Sequence, residues 1–174
     1  DLAARDQVLV LSRRESGELL WLDPADGSVR ATVPVPQAGG VTIDPQGQVY
    51  VISGTQVLVV TEAGEQRTLI AEGLDAPARL AWDAAGPSLL VADGGENHQV
   101  HRYDPDGKRL ASYGREGGRR QGAYVAEDFL QITALAADGE GGFFISEQVP
   151  APRRVAHFDR EGRVLDQWYG GQPY

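Results

Sequence analysis

The chain ends on RVAHFDREGRVLDQWYGGQPY (residues 154–174), and an earlier stretch reads QVHRYDPDGKRLASYGREGG (residues 99–118). Both spell a short apolar run, an aromatic, Asp, a turn containing Gly, and a second apolar run that ends at aromatic-Gly. The same turn recurs as Asp23-Pro24-Ala25-Asp26-Gly27 and, more weakly, as Thr61-Glu62-Ala63-Gly64. Asp side chains bond back to the backbone that follows them and Gly accepts a positive φ, so such segments reverse the chain tightly between antiparallel strands. Pro24, Pro45 and Pro105 fix φ at the start of the reversal and donate no ladder hydrogen bond. The predicted strand pairs are therefore 19–22 with 29–33, 57–60 with 66–70, 100–103 with 109–113, and 155–158 with 164–168.

A second motif interleaves with the first. Val41-Thr42-Ile43-Asp44-Pro45-Gln46-Gly47 leads into Val49 to Ile52, Leu80-Ala81-Trp82-Asp83 leads into Leu89 to Ala92, and Leu135-Ala136-Ala137-Asp138-Gly139 leads into Phe143 to Ser146. Val8 to Ser12 fits as the second strand of a unit whose first strand is missing. One unit is strand, Asp-Gly turn, strand, variable loop, strand, Asp-Gly turn, strand. It gives approximate units 1–37, 38–77, 78–118 and 131–171, with an inserted loop at 115–131. No sustained helical period occurs, and 123–129 is the only segment where a helical turn is expected.

The strands are apolar with little alternation. A sheet with one wet face alternates polar and apolar residues, whereas a sheet covered on both faces is apolar throughout. Four-stranded units of about 40 to 45 residues, stacked around an axis, meet that requirement as the blades of a β-propeller. The competing all-β architecture is a sandwich or barrel of short strands.

The chain has 174 residues, with 16 Lys plus Arg against 25 Asp plus Glu, a formal net charge of -9. That balance argues against nucleic acid as a partner, because phosphate binding draws on clustered positive charge. There is no Cys, which removes disulfides and thiolate metal sites, and no Met. No window approaches the run of about 18 apolar residues needed for a helical membrane span. The chain is expected to be a processed or excised piece of something longer, with a secreted or extracytoplasmic setting preferred.

The repeated units resemble those of the NHL-repeat β-propellers, which are distantly like the six-bladed gluconolactonase-like propellers. The best copies run from Ile132 to Gly162 and from Leu80 to Gly114. The resemblance implies innermost strands at Val41 to Asp44, Leu80 to Asp83 and Leu135 to Asp138, with outermost strands after each turn glycine. It also implies a ring of six blades, of which about four are present. Two open flanks would then expose apolar faces, to be covered by the remainder of the propeller or by a neighbouring subunit.

Asp75, Arg79, Asp93, Glu127, Asp128 and Gln131 flank innermost strands in the repeat register and are candidates to line a central channel. Their oxygens suit Ca2+ or Mg2+, and the resemblance implies that a divalent ion in such a channel would serve a lactonase-like hydrolase. A histidine-held zinc, as in lyases of the group, is opposed by the placement of His98, His101 and His157 towards the Asp-Gly turns. They are expected to be partly exposed strand residues.

Gly114-Arg115-Glu116-Gly117-Gly118 lacks the Lys-Ser or Lys-Thr of a phosphate loop and fits a linker between blades. The insertion mixes Arg115, Arg119 and Arg120 with Tyr124 and Phe129, and a second loop, 147–154, carries prolines with Arg153 and Arg154. Tyr and Arg are enriched where one protein grips another, so both loops are candidate partner-binding surfaces. Trp21, Tyr124 and Trp168 are expected to wedge between blades. Tyr169 to Tyr174 reads as a connector. The preferred expectation is a non-catalytic structural or protein-binding module without a cofactor. The alternative is a metal-dependent hydrolase or lyase completed by blades outside the chain.

Overall fold

The computed structural model describes residues 1–148 and 152–171. Residues 149–151 of the proline loop and 172–174 of the connector lie outside the described residues. The described residues form four four-stranded antiparallel sheets, each a meander in chain order. The first holds β1 (Leu2–Arg5), β2 (Val8–Arg13), β3 (Glu18–Leu22) and β4 (Val29–Pro34). The second holds β5 (Ala38–Ile43), β6 (Val49–Ser53), β7 (Gln56–Val60) and β8 (Gln66–Ile70). The third holds β9 (Pro77–Asp83), β10 (Ser88–Asp93), β11 (Gln99–Tyr103) and β12 (Arg109–Tyr113). The fourth holds β13 (Ile132–Ala137), β14 (Phe143–Glu147), β15 (Arg154–Phe158) and β16 (Val164–Tyr169).

Aspartates set the reversals as their spacing implies. Asp104 Oδ1 accepts from the amides of Asp106 and Lys108 at 3.0 and 2.9 Å, and Asp159 Oδ1 from those of Glu161 and Arg163 at 3.0 and 2.8 Å. Asp44 and Asp138 repeat this two and four residues on, inside the turns that follow β5 and β13. Each such carboxylate satisfies amides that the ladder cannot reach.

The sheets stack face to face. Val10, Leu19, Trp21 and Val33 of the first sheet pack on Val41, Ile43, Val49 and Val51 of the second. The opposite face of the second sheet offers Tyr50, Ile52, Val57 and Val59 to Leu80, Leu89, Val91 and Tyr103 of the third. The third presents Leu90, Val100 and Tyr113 to Phe143, Ile145, Ala156 and Phe158 of the fourth. Strands β6 and β10 are therefore apolar at successive residues because alternate side chains enter different cores. Sheet neighbours touch through β1 with β5, β5 with β9 and β9 with β13, with no comparable contact between β1 and β13. The four sheets make an open arc around a cavity of about 440 Å3, lined by β1, β5, β9 and β13.

Three expectations require correction. The first unit does have its innermost strand: β1 pairs with β2 from Leu2↔Leu11 to Arg5↔Val8. It joins through Asp6, which takes a φ of 50°, rather than through an Asp-Gly turn, so the turn pattern does not reveal it. Residues 123–129 form no helical turn beyond a reversal at Ala126 and Glu127. The carbonyls of Ala126 and Asp128 instead accept from Arg154, at 2.7 and 3.1 Å. Trp21 is buried as expected, but Tyr124 and Trp168 are 44% and 50% exposed, so neither is a wedge between described sheets. Ring pairs that fill that role are Tyr50 with Trp82, stacked at 5.0 Å across the second and third sheets, and Tyr113 with Phe143, 5.0 Å apart across the third and fourth.

Gly27 and Gly107 separate two costs. Both hold positive φ, 74° and 87°, but a β-carbon meets nothing at Gly27 and overlaps the Leu69 carbonyl oxygen at Gly107. Gly27→Ala should lose about 1 kcal/mol of stability from φ alone, and Gly107→Ala clearly more, about 2–4 kcal/mol. Urea denaturation of the two variants measures the difference.

Candidate functional site

The loops joining one sheet to the next, and those joining second to third strands within a sheet, carry most of the candidate residues. Asp93 closes β10 beyond a register shift at Ala92 and Asp93, and it is fully buried. Its carboxylate accepts from the amides of Asp75 (3.1 Å) and Ala76 (2.8 Å) and from Asn97 Nδ2 (2.7 Å). His101 Nε2 stands 3.6 Å away. Burial pushes Asp93 up, but the His101 imidazole beside it and hydrogen bonds from Asn97 and the two amides outweigh it and hold the carboxyl below its ordinary 3.8. Asp75 accepts from the Glu96 amide at 2.7 Å. These two carboxylates fasten the 74–76 and 94–98 loops together, with both Asp93 oxygens engaged.

The other four channel candidates stand elsewhere. Arg79 projects from β9 at the axial cavity, where Nε donates to the Thr133 carbonyl at 3.0 Å and Nη1 to that of Ala78 at 2.8 Å. Glu127 and Gln131 are exposed; Gln131 takes a φ of 52° and donates its amide to His98 Nδ1 at 3.4 Å. Asp128 is buried and accepts from Arg115 Nε at 2.9 Å. Among the described residues, no group of three or more His, Cys, Asp or Glu is placed to hold a metal ion. The residues present do not fit the Ca2+ or Mg2+ set considered from the sequence.

One of the three histidines differs in burial from expectation. His101 is buried rather than partly exposed, with Nδ1 2.9 Å from Ser112 Oγ. Its strand is the third of an interior sheet, so its face is covered by the second sheet. His157, on the uncovered side of the fourth sheet, is partly exposed, donates Nε2 to Asp138 Oδ2 at 2.8 Å and stacks on Phe144 at 4.0 Å.

The insertion is organised by Glu147, a residue the sequence does not single out. It ends β14 with its side chain wholly buried, and accepts from Arg119 Nη2 at 3.0 Å, from Arg154 Nε, and from the Leu130 amide at 2.5 Å. The fully buried Arg154 guanidinium also donates to Tyr124 Oη and Gln167 Oε1, both at 2.6 Å. Arg119 and Arg154 lie 5.2 and 5.6 Å from the Tyr124 ring centroid. Desolvation, then the hydrogen bond with Tyr169, pushes the Tyr124 phenol up to about 12, so it remains a donor. Phe129 is buried in the core between the third and fourth sheets. Arg115, Arg120 and Arg153 stay exposed. No local cue in the sequence marks Glu147, since Asp159 lies nearer Arg154 along the chain.

Around this clamp lies a cleft of about 520 Å3, walled by Tyr124, Leu130, Pro152 and Tyr169 and rimmed by Arg119 and Arg120. Its chemistry is apolar with cationic edges. Among the described residues lining it, no nucleophile stands beside a base.

Glu147→Gln should cost about 3–5 kcal/mol, because it leaves two guanidiniums without their buried counter-charge; chemical denaturation reads this. Asp93 and Asp138 are both held below 3.8. Burial raises Asp138 too, but its hydrogen bonds with His157 and two amides outweigh that effect. With folded values below unfolded ones, their stabilisation is present above about pH 4 and is lost as pH falls through the folded values. Thermal unfolding from pH 5 to pH 2 should show this fall, with a shallower slope in Asp93→Asn.

No family model and no curated protein matches the chain. Solved structures do. Hydrazine synthase of Kuenenia stuttgartiensis superposes with a TM-score of 0.73 at 16% identity, covering 97% of this chain and 48% of that one. Virginiamycin B lyase from Staphylococcus aureus, in a catalytically inactive form solved with quinupristin, gives 0.72 at 10% identity, covering 99% and 55%. A chain of the nidogen/laminin complex gives 0.67 at 17% identity, covering 92% and 61%. The chain thus spans about half the length of the structures it matches. The likeness is one of fold: these four sheets are blade-like units of a β-propeller-like architecture.

Proposed function

We propose that the chain is a four-blade arc of an NHL-type β-propeller, a non-catalytic structural and protein-binding module whose two flanks seat the further blades of a six-bladed ring. The observation that carries this reading is the chemistry of the two outer faces. On the first sheet, alternate residues to the buried Val10, Leu19 and Trp21 form cross-strand rows, Leu2–Leu11–Leu20 and Ala4–Leu9–Leu22. On the fourth sheet, the residues alternating with Phe143, Ile145 and Ala156 include Phe144, Val155 and Trp168, with Val155 opposite Trp168. Val155 and Trp168 are 42% and 50% exposed, and Leu2 is 58% exposed.

Both faces carry apolar rows with no sheet of the described residues against them, the fourth also bearing Ser146, His157 and Asp166. Covering each buried aliphatic or aromatic side chain contributes about 1.5–3 kcal/mol, so a further sheet on either side is strongly favoured. The matched propellers, roughly twice as long, supply the precedent for such sheets. A metal-dependent hydrolase or lyase of this shape would draw its ligands from blades outside the chain, because Asp75 and Asp93 are engaged by backbone amides.

On its own the chain should associate through these flanks. Light scattering coupled to size exclusion is expected to show mass rising with concentration. Leu9→Lys with Leu20→Lys on one flank, or Trp168→Glu on the other, should reduce association. A chain that stays monomeric at high concentration, and binds no hydrophobic dye, would sink the reading.

A further inference from the structure

The interface between the third and fourth sheets carries a polar crossing as well as an apolar core. Asp83, at the end of β9, accepts from Arg102 Nη1 at 2.6 Å, and the same guanidinium leaves its own sheet through Nη2 to reach the Gly141 carbonyl at 2.7 Å. Gly141 lies in the turn between β13 and β14, the first and second strands of the sheet that follows. Arg102 therefore holds a carboxylate of its own sheet with one nitrogen and a backbone acceptor of the next sheet with another.

The fourth sheet repeats the first half of this arrangement. Asp83 and Arg102 are 19 residues apart, and so are Asp138 and His157. The registers agree: Arg102 stands opposite Leu90, next to the Leu89 and Tyr103 pair, and His157 stands opposite Phe144, next to the Phe143 and Phe158 pair. His157 thus holds on the fourth sheet the place of Arg102 on the third, at the end of the sheet away from residues 149–151. Its Nε2 donates to Asp138 Oδ2 at 2.8 Å, and its Nδ1 has no hydrogen-bond partner among the described residues. Phe144, stacked on the ring at 4.0 Å, fixes its plane and brings no charge. The charged groups that face the ring are Asp138 and, opposite it on β16, Asp166. Covering such a ring without a partner for its second nitrogen is costly.

We infer that His157 is the polar anchor for the sheet that covers the fourth one: as an imidazolium, it donates Nδ1–H to a backbone carbonyl in the turn between that sheet's first and second strands, as Arg102 does to Gly141. This rests on the reading of the flanks as seats for further blades, and it adds what the covering blade presents and how the contact is regulated. A neutral ring that gives its Nε2–H to Asp138 has only a lone pair at Nδ1 and repels a carbonyl, whereas the protonated ring donates at both nitrogens. Docking at this flank is therefore coupled to proton uptake. For the chain on its own, the covering sheet is the first sheet of a second copy, whose corresponding turn is Asp6 and Gln7 between β1 and β2. Asp6 is the titratable group that this turn brings to the contact.

Two variants of the chain isolate the contact. One carries Trp168→Glu, which closes its fourth-sheet flank, and the other carries Leu9→Lys with Leu20→Lys, which closes its first-sheet flank, so that a mixture forms a single heterologous dimer. Sedimentation velocity at constant ionic strength reads the dissociation constant at about pH 8 and about pH 5.5, a range over which histidine changes charge. Dimerisation is expected to be about tenfold tighter at the lower pH, the size of one charge-assisted hydrogen bond. Placed in the second variant, His157→Gln should remove most of this pH dependence, and His157→Arg should hold the tighter binding at both pH values. Circular dichroism of both should match the parent, because the ring is partly exposed. A dimer equally tight at both pH values, or full pH dependence retained in His157→Gln, would overturn the inference. So would tighter dimerisation at the higher pH, which places an amide donor over Nδ1. A dimer indifferent to His157 removes this inference alone, whereas absence of any dimer removes the flank reading with it.

Discussion

A β-sheet whose strands are apolar at every residue must be dry on both faces, and the arc follows from that constraint. Strand β10 is buried at every residue, sending Leu89 and Val91 towards the second sheet and Leu90 towards the fourth. A sandwich of two broad sheets covers only one face of each strand, and would require Leu90 or Leu89 to stand in water. Stacking of small sheets is the arrangement that suits such a sequence. It also forces the outcome at the ends of the stack, where apolar faces have no neighbour.

Apolar cores alone do not fix how each sheet turns against the next. Buried charge supplies that register between the third and fourth sheets. Arg102 is fully engaged: Nη1 donates to Asp83 at 2.6 Å and to Ser88 at 2.7 Å, Nε to Tyr113 at 3.0 Å, and Nη2 crosses to the Gly141 carbonyl at 2.7 Å. A buried ion pair adds little net stability over an apolar substitute, but misplacing it is costly. The Glu147 cluster does the same for the insertion, tying a loop from the third sheet to the second and third strands of the fourth. Arg102 thus holds one blade in place, and Arg119 and Arg154 hold one loop upon it.

The architecture was legible because its signals are local. Asp-to-amide turns and two-faced strands are read within a few residues, and the strand pairs expected after each turn glycine match β3 with β4, β7 with β8, β11 with β12, and β15 with β16 to within a residue or so. Strand β1 escaped because Leu-Ala-Ala-Arg is short and weakly apolar and its reversal uses a positive φ at Asp6 instead of a glycine. The site was less legible for a different reason. Whether Asp93 coordinates an ion or caps a loop depends on which amides surround it, and those come from residues 18 positions away. Arg154 looked like surface charge in a proline loop, yet β15 points it into the interface, opposite Tyr169 on β16. Tertiary context decides the partners of charged side chains, and no period or motif encodes it.

The two flanks are unlike, and this shapes how they can be covered. Within the arc, each contact joins the later-facing side of one sheet to the earlier-facing side of the next, as Val10 and Trp21 meet Val41 and Val49. The leucine rows of the first sheet form an uncovered earlier-facing side, and the Phe144, Val155 and Trp168 face is an uncovered later-facing side. Repeating the contact the arc already uses therefore brings one flank onto the other kind, never onto itself. Such a contact is heterologous, and it either closes a ring or continues as an open stack. A twofold dimer would have to press leucine row on leucine row, a packing that none of the three interior interfaces displays. Further blades in ring order, as proposed, would satisfy both flanks by the same contact three times realised here.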